Sequence, residues 1–365
     1  MLIGSVTGAE LRVRRAAAQL LHRPAGLAPA GIVTALLAVQ AQDPRAARLA
    51  LRARGAGLTA AGVDAALTDE RSVVVAWLAR GTLHLVARED YAWLLGLTAP
   101  RRAAGGARRL AQEGVSPGDA DRAVTVVERA LAAEGPLTRR ELAERLAAAG
   151  IRAEGQATPH LLGLAARRGI AVLGPVRGGE PAFALTRDWL EIAPPAPLTG
   201  DARAAALAEL ARRYLRGHGP ATAADLAAWA GLPLRDARAG LGAIAGELAA
   251  AGSDGLVDLA ARAAADGPAP PRLLGAFDPY LLGWKDRGFA VAPEHARRVH
   301  PGGGMLRAVA TVAGEAVGLW RARRRGAGRA VDIEPFAPLA AEVAAALEAD
   351  AADVARFMGG EEMSP

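Results

Sequence analysis

The chain has no cysteine, a single lysine and few aromatic rings. Without cysteine there are no disulfides and no thiolate-ligated zinc or iron–sulfur site. Lys285 is the only lysine, so a Schiff-base step has one lysine candidate. Aromatics make up 4% of the 365 residues, which leaves Leu, Val and Ala to build the core. Apolar residues reach 52%, enough for a sizeable interior and too many for global disorder. Six histidines are scattered without any His-x-x-x-His pair, so neither a metal nor another cofactor is expected. No glycine-rich phosphate loop carries a lysine, Gly302–Gly304 precede a strand pattern rather than a helix, and no Gly-x-Ser-x-Gly elbow occurs. Charged residues interrupt every apolar run before membrane-spanning length, and the N-terminus "MLIGSVTGAELRVRRAAAQLLHRP" has no long apolar segment. The expected location is the cytoplasm, with no membrane contact.

What the chain has is arginine. The net charge is +6 and the isoelectric point near 10.6. Guanidinium groups suit forked contacts to phosphate and guanine, so the balance supports a polyanionic partner. An Ala/Arg/Gly/Pro-heavy composition also follows from a GC-rich coding sequence.

The length suggests more than one compact unit. "GAELRVRRAAAQLLH", "APAGIVTALLAVQ" and "DPRAARLALRAR" read as successive helices, the third with Asp43 as N-cap and Pro44 in its first turn. Gln40-Ala41-Gln42 then falls at a helix–helix junction. On the residues alone, the plainer reading is that Gln40 ends a helix and Gln42 is solvated.

An internal echo is more informative. "GLTAAGVDAAL" from Gly57, "GPLTRRELAERL" from Gly135 and "GPATAADLAAWA" from Gly219 start 78 and 84 residues apart. In the last two, Thr138 with Glu141 and Thr222 with Asp225 have capping-box spacing. Strand-like runs follow: Val73–Val75 and Leu83–Val86 after the first, and two runs around a Gly-rich turn in "IAVLGPVRGGEPAFALT" after the second. Helix, turn, helix and hairpin is a winged-helix arrangement. Proline-rich "IAPPAPLTGD" and "DGPAPPR" mark connectors. Beyond them "RLLGAFDPYLLGW", "MLRAVATVAGEAVGLWRARRR" and "RAVDIEPF" read as strands, and "APLAAEVAAALEADAADVARFM" as a terminal helix.

The expected fold is therefore α+β, mainly α with β wings: three tandem winged-helix modules (1–115 with the Gln-x-Gln segment, 116–198, 199–265) and a small β-rich C-terminal domain with a terminal helix (266–365).

"VQAQDPRAARLALRAR", "ARGTLHLVAREDY", "RLLGAFDPYLLGWKDR" and "RRVHPGGGMLRAVATVAGEAVGLWR" occur in that order. Together they resemble the winged-helix DNA glycosylases of the AlkZ/YcaQ family, over roughly Leu36 to Phe336. The resemblance implies a concave DNA-binding surface and a catalytic Gln-x-Gln motif, here Gln40 and Gln42. The chemistry is coherent. An N7- or N3-alkylated purine is cationic, so its departure needs no general acid. Neutral amide oxygens can hold a water and face the developing sugar cation. The expected activity is a monofunctional DNA glycosylase for N7-alkylguanine and N3-alkyladenine, acting as a monomer on double-stranded DNA. It extends to interstrand crosslinks, in general repair or self-resistance.

Arg45, Arg48 and Arg52, with Arg54 beyond them, are read as phosphate-facing or as a solvated basic face. Arg80 near a strand turn, Arg235 and Arg238 on a recognition-helix position, and Arg321, Arg323 and Arg324 in a basic loop "RARRRGAGR" are further DNA-contact candidates. His84 alternates with apolar neighbours and is expected in the core. Asp278 is expected to cap a turn. The competing reading is a non-catalytic winged-helix regulator.

Overall fold

The computed structural model describes residues 7–252, 255–325 and 328–359; the first six residues of the N-terminal stretch and positions 326–327 of the basic run lie outside them. The chain is α+β, with helices and small antiparallel sheets, and forms two compact units. One comprises Met1–Val63 with Leu207–Glu361, the other Asp64–Ala206.

The first unit opens with α1 (Gly8–Ala18), whose N-cap Thr7 accepts a bond from the Glu10 amide. Helix α2 (Pro29–Leu36) starts on proline, which supplies the φ a first turn needs and lacks only an orphan N–H. A two-residue strand β1 (Val39–Gln40) precedes α3 (Pro44–Arg52). Helix α4 (Ala60–Thr68) leads into the second unit.

There, β2 (Val73–Trp77) and β3 (Leu83–Ala87) pair antiparallel, Val75 opposite Leu85. Helices α5 (Arg88–Thr98), α6 (Ala103–Gln112), α7 (Pro117–Glu134), α8 (Arg139–Ala148) and α9 (Ala157–Arg167) follow. The hairpin β4 (Ala171–Arg177) and β5 (Glu180–Leu185) turns at Gly178–Gly179 and adds to β2, so β3, β2, β4 and β5 lie side by side. Val73, Val74, Leu85, Val86, Val172 and Phe183 are all buried, which explains near-continuous apolar strands. Short α10 (Thr186–Trp189) and long α11 (Gly200–His218) return the chain to the first unit.

The first unit resumes with α12 (Ala223–Ala230), α13 (Leu234–Ala243) and the hairpin β6 (Leu248–Ala250) and β7 (Val257–Leu259). Both capping boxes form: Thr138 with Glu141 at α8, and Thr222 with Asp225 at α12. Then come β8 (Arg272–Leu274), α14 (Pro279–Leu282), α15 (Ala296–Val299), β9 (Val309–Val312), β10 (Glu315–Arg325), β11 (Gly328–Pro335) and α16 (Ala341–Gly359). The last four strands form an antiparallel sheet in the order β11-β10-β9-β8. The terminal helix α16 packs on β11, β8 and α3.

Three expectations change. The second helix stops at Leu36 rather than running to Gln40, because Leu37 adopts a left-handed φ of 69° that no helix continues. Only Arg272–Leu274 of "RLLGAFDPYLLGW" is strand; Asp278 and Pro279 start a helical turn. "RARRRGAGR" is mostly not a loop, since Arg321–Arg325 continue β10 and Gly328–Arg329 begin β11.

Candidate active site

The Gln-x-Gln segment is set by what ends one helix and begins the next. Arg213 on α11 donates to the Thr34 carbonyl near the end of α2. Gly217 of α11 lies so close to α2 that a Cβ there would meet the Ala35 carbonyl at 2.8 Å. Helix α2 therefore ends against α11, and the buried Leu37 turns the chain into β1. Along the extended piece Val39 and Ala41 are buried, whereas Gln40 is half-buried and Gln42 exposed. Period-two alternation puts both amides on one side. They touch: Gln40 Nε2 donates to Gln42 Oε1 at 3.3 Å. The C-cap position of α2 is held by Leu37 and not by Gln40.

The neighbouring carboxylate has another task. Asp43 Oδ1 accepts from the amides of Arg45 (2.9 Å) and Ala46 (3.3 Å), capping α3. Its charge faces a helix N-terminus, where the dipole favours it. The segment thus presents two amides beside a carboxylate engaged with backbone.

The arginines separate. Arg45 is exposed next to the pair. Arg48 is buried on α3 (7% exposed). Arg52, expected at a phosphate, lies in the interior (1% exposed) and its donors are taken: Nε to Asp353, Nη1 to the Leu273 carbonyl, Nη2 to Asp350. Arg54 is fully buried against Asp278 and Gln19. The i, i+3, i+7 spacing did place arginines along one helix, but the face carrying Arg48 and Arg52 turns inward.

Asp350 and Asp353 of α16 form a network with Arg23 and Arg52, each contact between 2.6 and 3.1 Å, while Arg272 stands 3.9 Å from Asp350. Burial pushes the Arg272 guanidinium down to about 10, helped by the Arg23 charge beside it. Burial acts against the Asp353 carboxylate, but Arg356, Arg52 and Arg23 together hold it below the usual range. Sequence inspection overlooked these partners. A signal existed: Asp350 sits on the apolar stripe of α16 with Leu347, Val354 and Phe357, where an acid needs a buried cation.

Asp278 caps α14 by accepting from the Tyr280 amide, as expected, and also binds Arg54. Arg235 and Arg238 are exposed on α13, the helix after the capping-box helix α12, with the Arg235 side chain 87% exposed. Arg321, Arg323 and Arg324 are exposed on β10; Arg323 pairs with Asp332 at 2.6 Å, and Arg321 stands 3.9 Å from the same carboxylate. Arg80 belongs to the second unit, half-buried, with φ 55°. His84, in the same unit, is buried; desolvation, then the Arg80 charge, push it down to about 3, so it stays neutral. No group of three or more His, Asp or Glu among the described residues is placed to hold a metal ion. Neither glutamine lines the cavities of roughly 690, 620 and 1070 Å³ found elsewhere on the molecule. Among the described residues, no helix is long and apolar enough to cross a membrane.

The comparisons with known proteins concern the family and the fold. The family model described as DNA glycosylase AlkZ-like matches residues 33–357. The structure is similar to that of Streptomyces sahachiroi DNA glycosylase AlkZ, with a TM-score of 0.78 and 26% identity over 98% of each chain. No curated protein sequence matches. The match spans the glutamine segment, both capping-box helices and the C-terminal sheet, and the chain belongs to the AlkZ-like DNA glycosylase family.

Proposed function

We propose that Gln40 and Gln42 are the catalytic pair of this DNA glycosylase and that its substrates are cationic N-alkylpurines, N7-alkylguanine and N3-alkyladenine. The observation that carries this reading is the amide pair itself, hydrogen-bonded at 3.3 Å beside an Asp43 engaged as a helix cap. Neutral amides make weak bases. They suffice where the base already bears a positive charge: the C1′–N bond breaks, its electron pair neutralises the purine, and no proton need be given to the leaving group. A water held by the amide oxygens then bonds to C1′, and its proton passes to solvent. The dipoles stabilise the oxocarbenium-like sugar without reorganising.

Gln42 is exposed and Gln40 half-buried, and neither lines the three cavities described above. An open site fits bulky adducts and interstrand crosslinks, which cannot be extruded into a closed pocket. Exposed Arg45, Arg235, Arg238, Arg321, Arg323 and Arg324, with Arg80 of the second unit, are proposed as contacts to the DNA backbone. The three Gly-Thr helix starts are proposed to mark three winged-helix modules. The enzyme is proposed to act as a monomer in the cytoplasm, at the nucleoid.

The test is to incubate the protein with duplex DNA bearing one N7-methylguanine and to measure free base and alkali-labile sites. Release that disappears when both glutamines become alanine, in a folded protein, is the expected result. No release together with sequence-specific binding to intact DNA would replace this reading with that of a regulator.

A further inference from the structure

The glutamines precede α3, and the C-terminal end of α3 is held by charge. Arg52, in its last turn, is locked into Asp350, Asp353 and the Leu273 carbonyl; Arg54, just past it, is locked into Asp278. A close steric contact lies between these anchors and the glutamines. Gly275 is buried, and a Cβ built on it would lie 3.1 Å from Leu49 Cβ and 3.6 Å from the Ala46 carbonyl. Its φ is not in the left-handed region, so the backbone there does not require glycine. What requires it is the approach of α3. The chain then turns sharply at Phe277 (φ 57°) and delivers Asp278 to Arg54, so one short segment, Arg272–Asp278, carries both the anchors and the spacer.

We infer that Gly275 is a positioning residue: the missing side chain sets how closely the glutamine-bearing end of α3 is seated, with the Arg52 and Arg54 ion pairs as the fixed end of a lever. This rests on the assignment of Gln40 and Gln42 as the catalytic pair. A methyl group at 275 forces a displacement of a few tenths of an ångström at Leu49. Leu49 is about 4.5 Å along the axis from Arg52, and Pro44 about 12 Å, at ~1.5 Å rise per residue. Pivoting on the anchored end multiplies the displacement to roughly 1 Å at Asp43 and the glutamines ahead of it. A misplacement of that size costs about 100-fold in rate when catalysis depends on holding a water and a reacting carbon in line.

The experiment compares the natural chain with Gly275→Ala, using a duplex with one N7-methylguanine under single-turnover conditions at saturating protein. The expected result is an excision rate constant lowered about 10- to 100-fold, with the dissociation constant for undamaged duplex within about twofold of the natural chain. Adding Leu49→Gly, which removes the opposing Cβ, recovers rate although the double variant is less stable. A Gly275→Ala rate constant equal to that of the natural chain overturns the inference. So does a rate that falls in step with the melting temperature through both variants. If replacing Gln40 and Gln42 leaves excision unchanged, the catalytic assignment itself fails and the inference falls with it; the glutamine variants read that separately.

Discussion

Arg54 and Asp278 form a two-pronged ion pair, Nη2 to Oδ1 at 2.7 Å and Nη1 to Oδ2 at 3.0 Å, with neither side chain reaching solvent. Arg54 Nη1 also donates to the Ala50 carbonyl, whereas its buried Nε finds no acceptor among the described residues. Gln19 accepts from Arg54 while donating to the Gly217 carbonyl, and Asp278 also accepts from the Tyr280 amide. Removing one partner of such a pair leaves a buried charge alone, at a cost of about 3–5 kcal/mol. Asp278→Ala is therefore expected to lower the stability of the chain by that amount, read as the midpoint of urea unfolding. A shift smaller than about 1 kcal/mol would mean that Arg54 finds water or another acceptor.

Gln42→Ala and Gln40→Ala are each expected to lower single-turnover excision of N7-methylguanine by about 100-fold or more, the scale seen when one preorganised dipole is removed from a developing charge. Circular dichroism should be unchanged, because Gln42 is exposed and Gln40 half-buried. Because the amides act on one water, the double variant should lose much less than the product of the two single losses. Fully multiplicative losses would assign the two residues separate jobs.

His84 gives the second unit a defined pH dependence. Its folded-state value is about 3 against 6.5 unfolded, lowered first by burial and then by Arg80. The unfolded chain therefore binds the extra proton between those values. The full stability is present above pH 6.5 and is lost progressively as the pH falls toward 3, by up to about 5 kcal/mol. His84→Leu should flatten the stability–pH curve between pH 6.5 and 4, measured by urea denaturation at each pH. An unaltered slope would show that other groups carry the acid sensitivity.

Arg235 and Arg238 stand exposed on α13. If they meet phosphates, each change to alanine should reduce the slope of log K against log salt by about 1, with little preference among DNA sequences. Salt titrations of binding to two unrelated duplexes check this. An unchanged slope would return both side chains to the solvated surface.

Much of the fold was legible because local chemistry and tertiary structure agree in it. Thr138 with Glu141 and Thr222 with Asp225 announce helix starts, and both boxes form. Asp43-Pro44 announces α3. Ala313-Gly314 turns β9 into β10 where "AGEA" suggested. The illegible parts depend on distant partners. The end of α2 is fixed by Arg213 and Gly217, more than 170 residues on. The inward turn of Arg52 is fixed by α16, with 301 residues separating it from Asp353. Helical spacing shows which arginines share a face; it does not show whether the face meets solvent or a carboxylate. The glutamine pair was visible only through resemblance, since an amide at the end of an apolar run looks the same whether it holds a water or merely meets one.

The long reach of the Arg52 contacts also bears on synthesis. The ribosome delivers the glutamine segment among the first fifty residues, but Asp350 and Asp353, which fix its helix, come some 300 residues later. At translation rates of about 5–20 residues per second, the N-terminal arginines wait on the order of 15–60 seconds for their carboxylates. During that interval α3 has α2 and β1 to pack on but lacks the carboxylates of α16. Only when its α16 has left the exit tunnel can Arg52 meet the carboxylates that hold it in the folded chain.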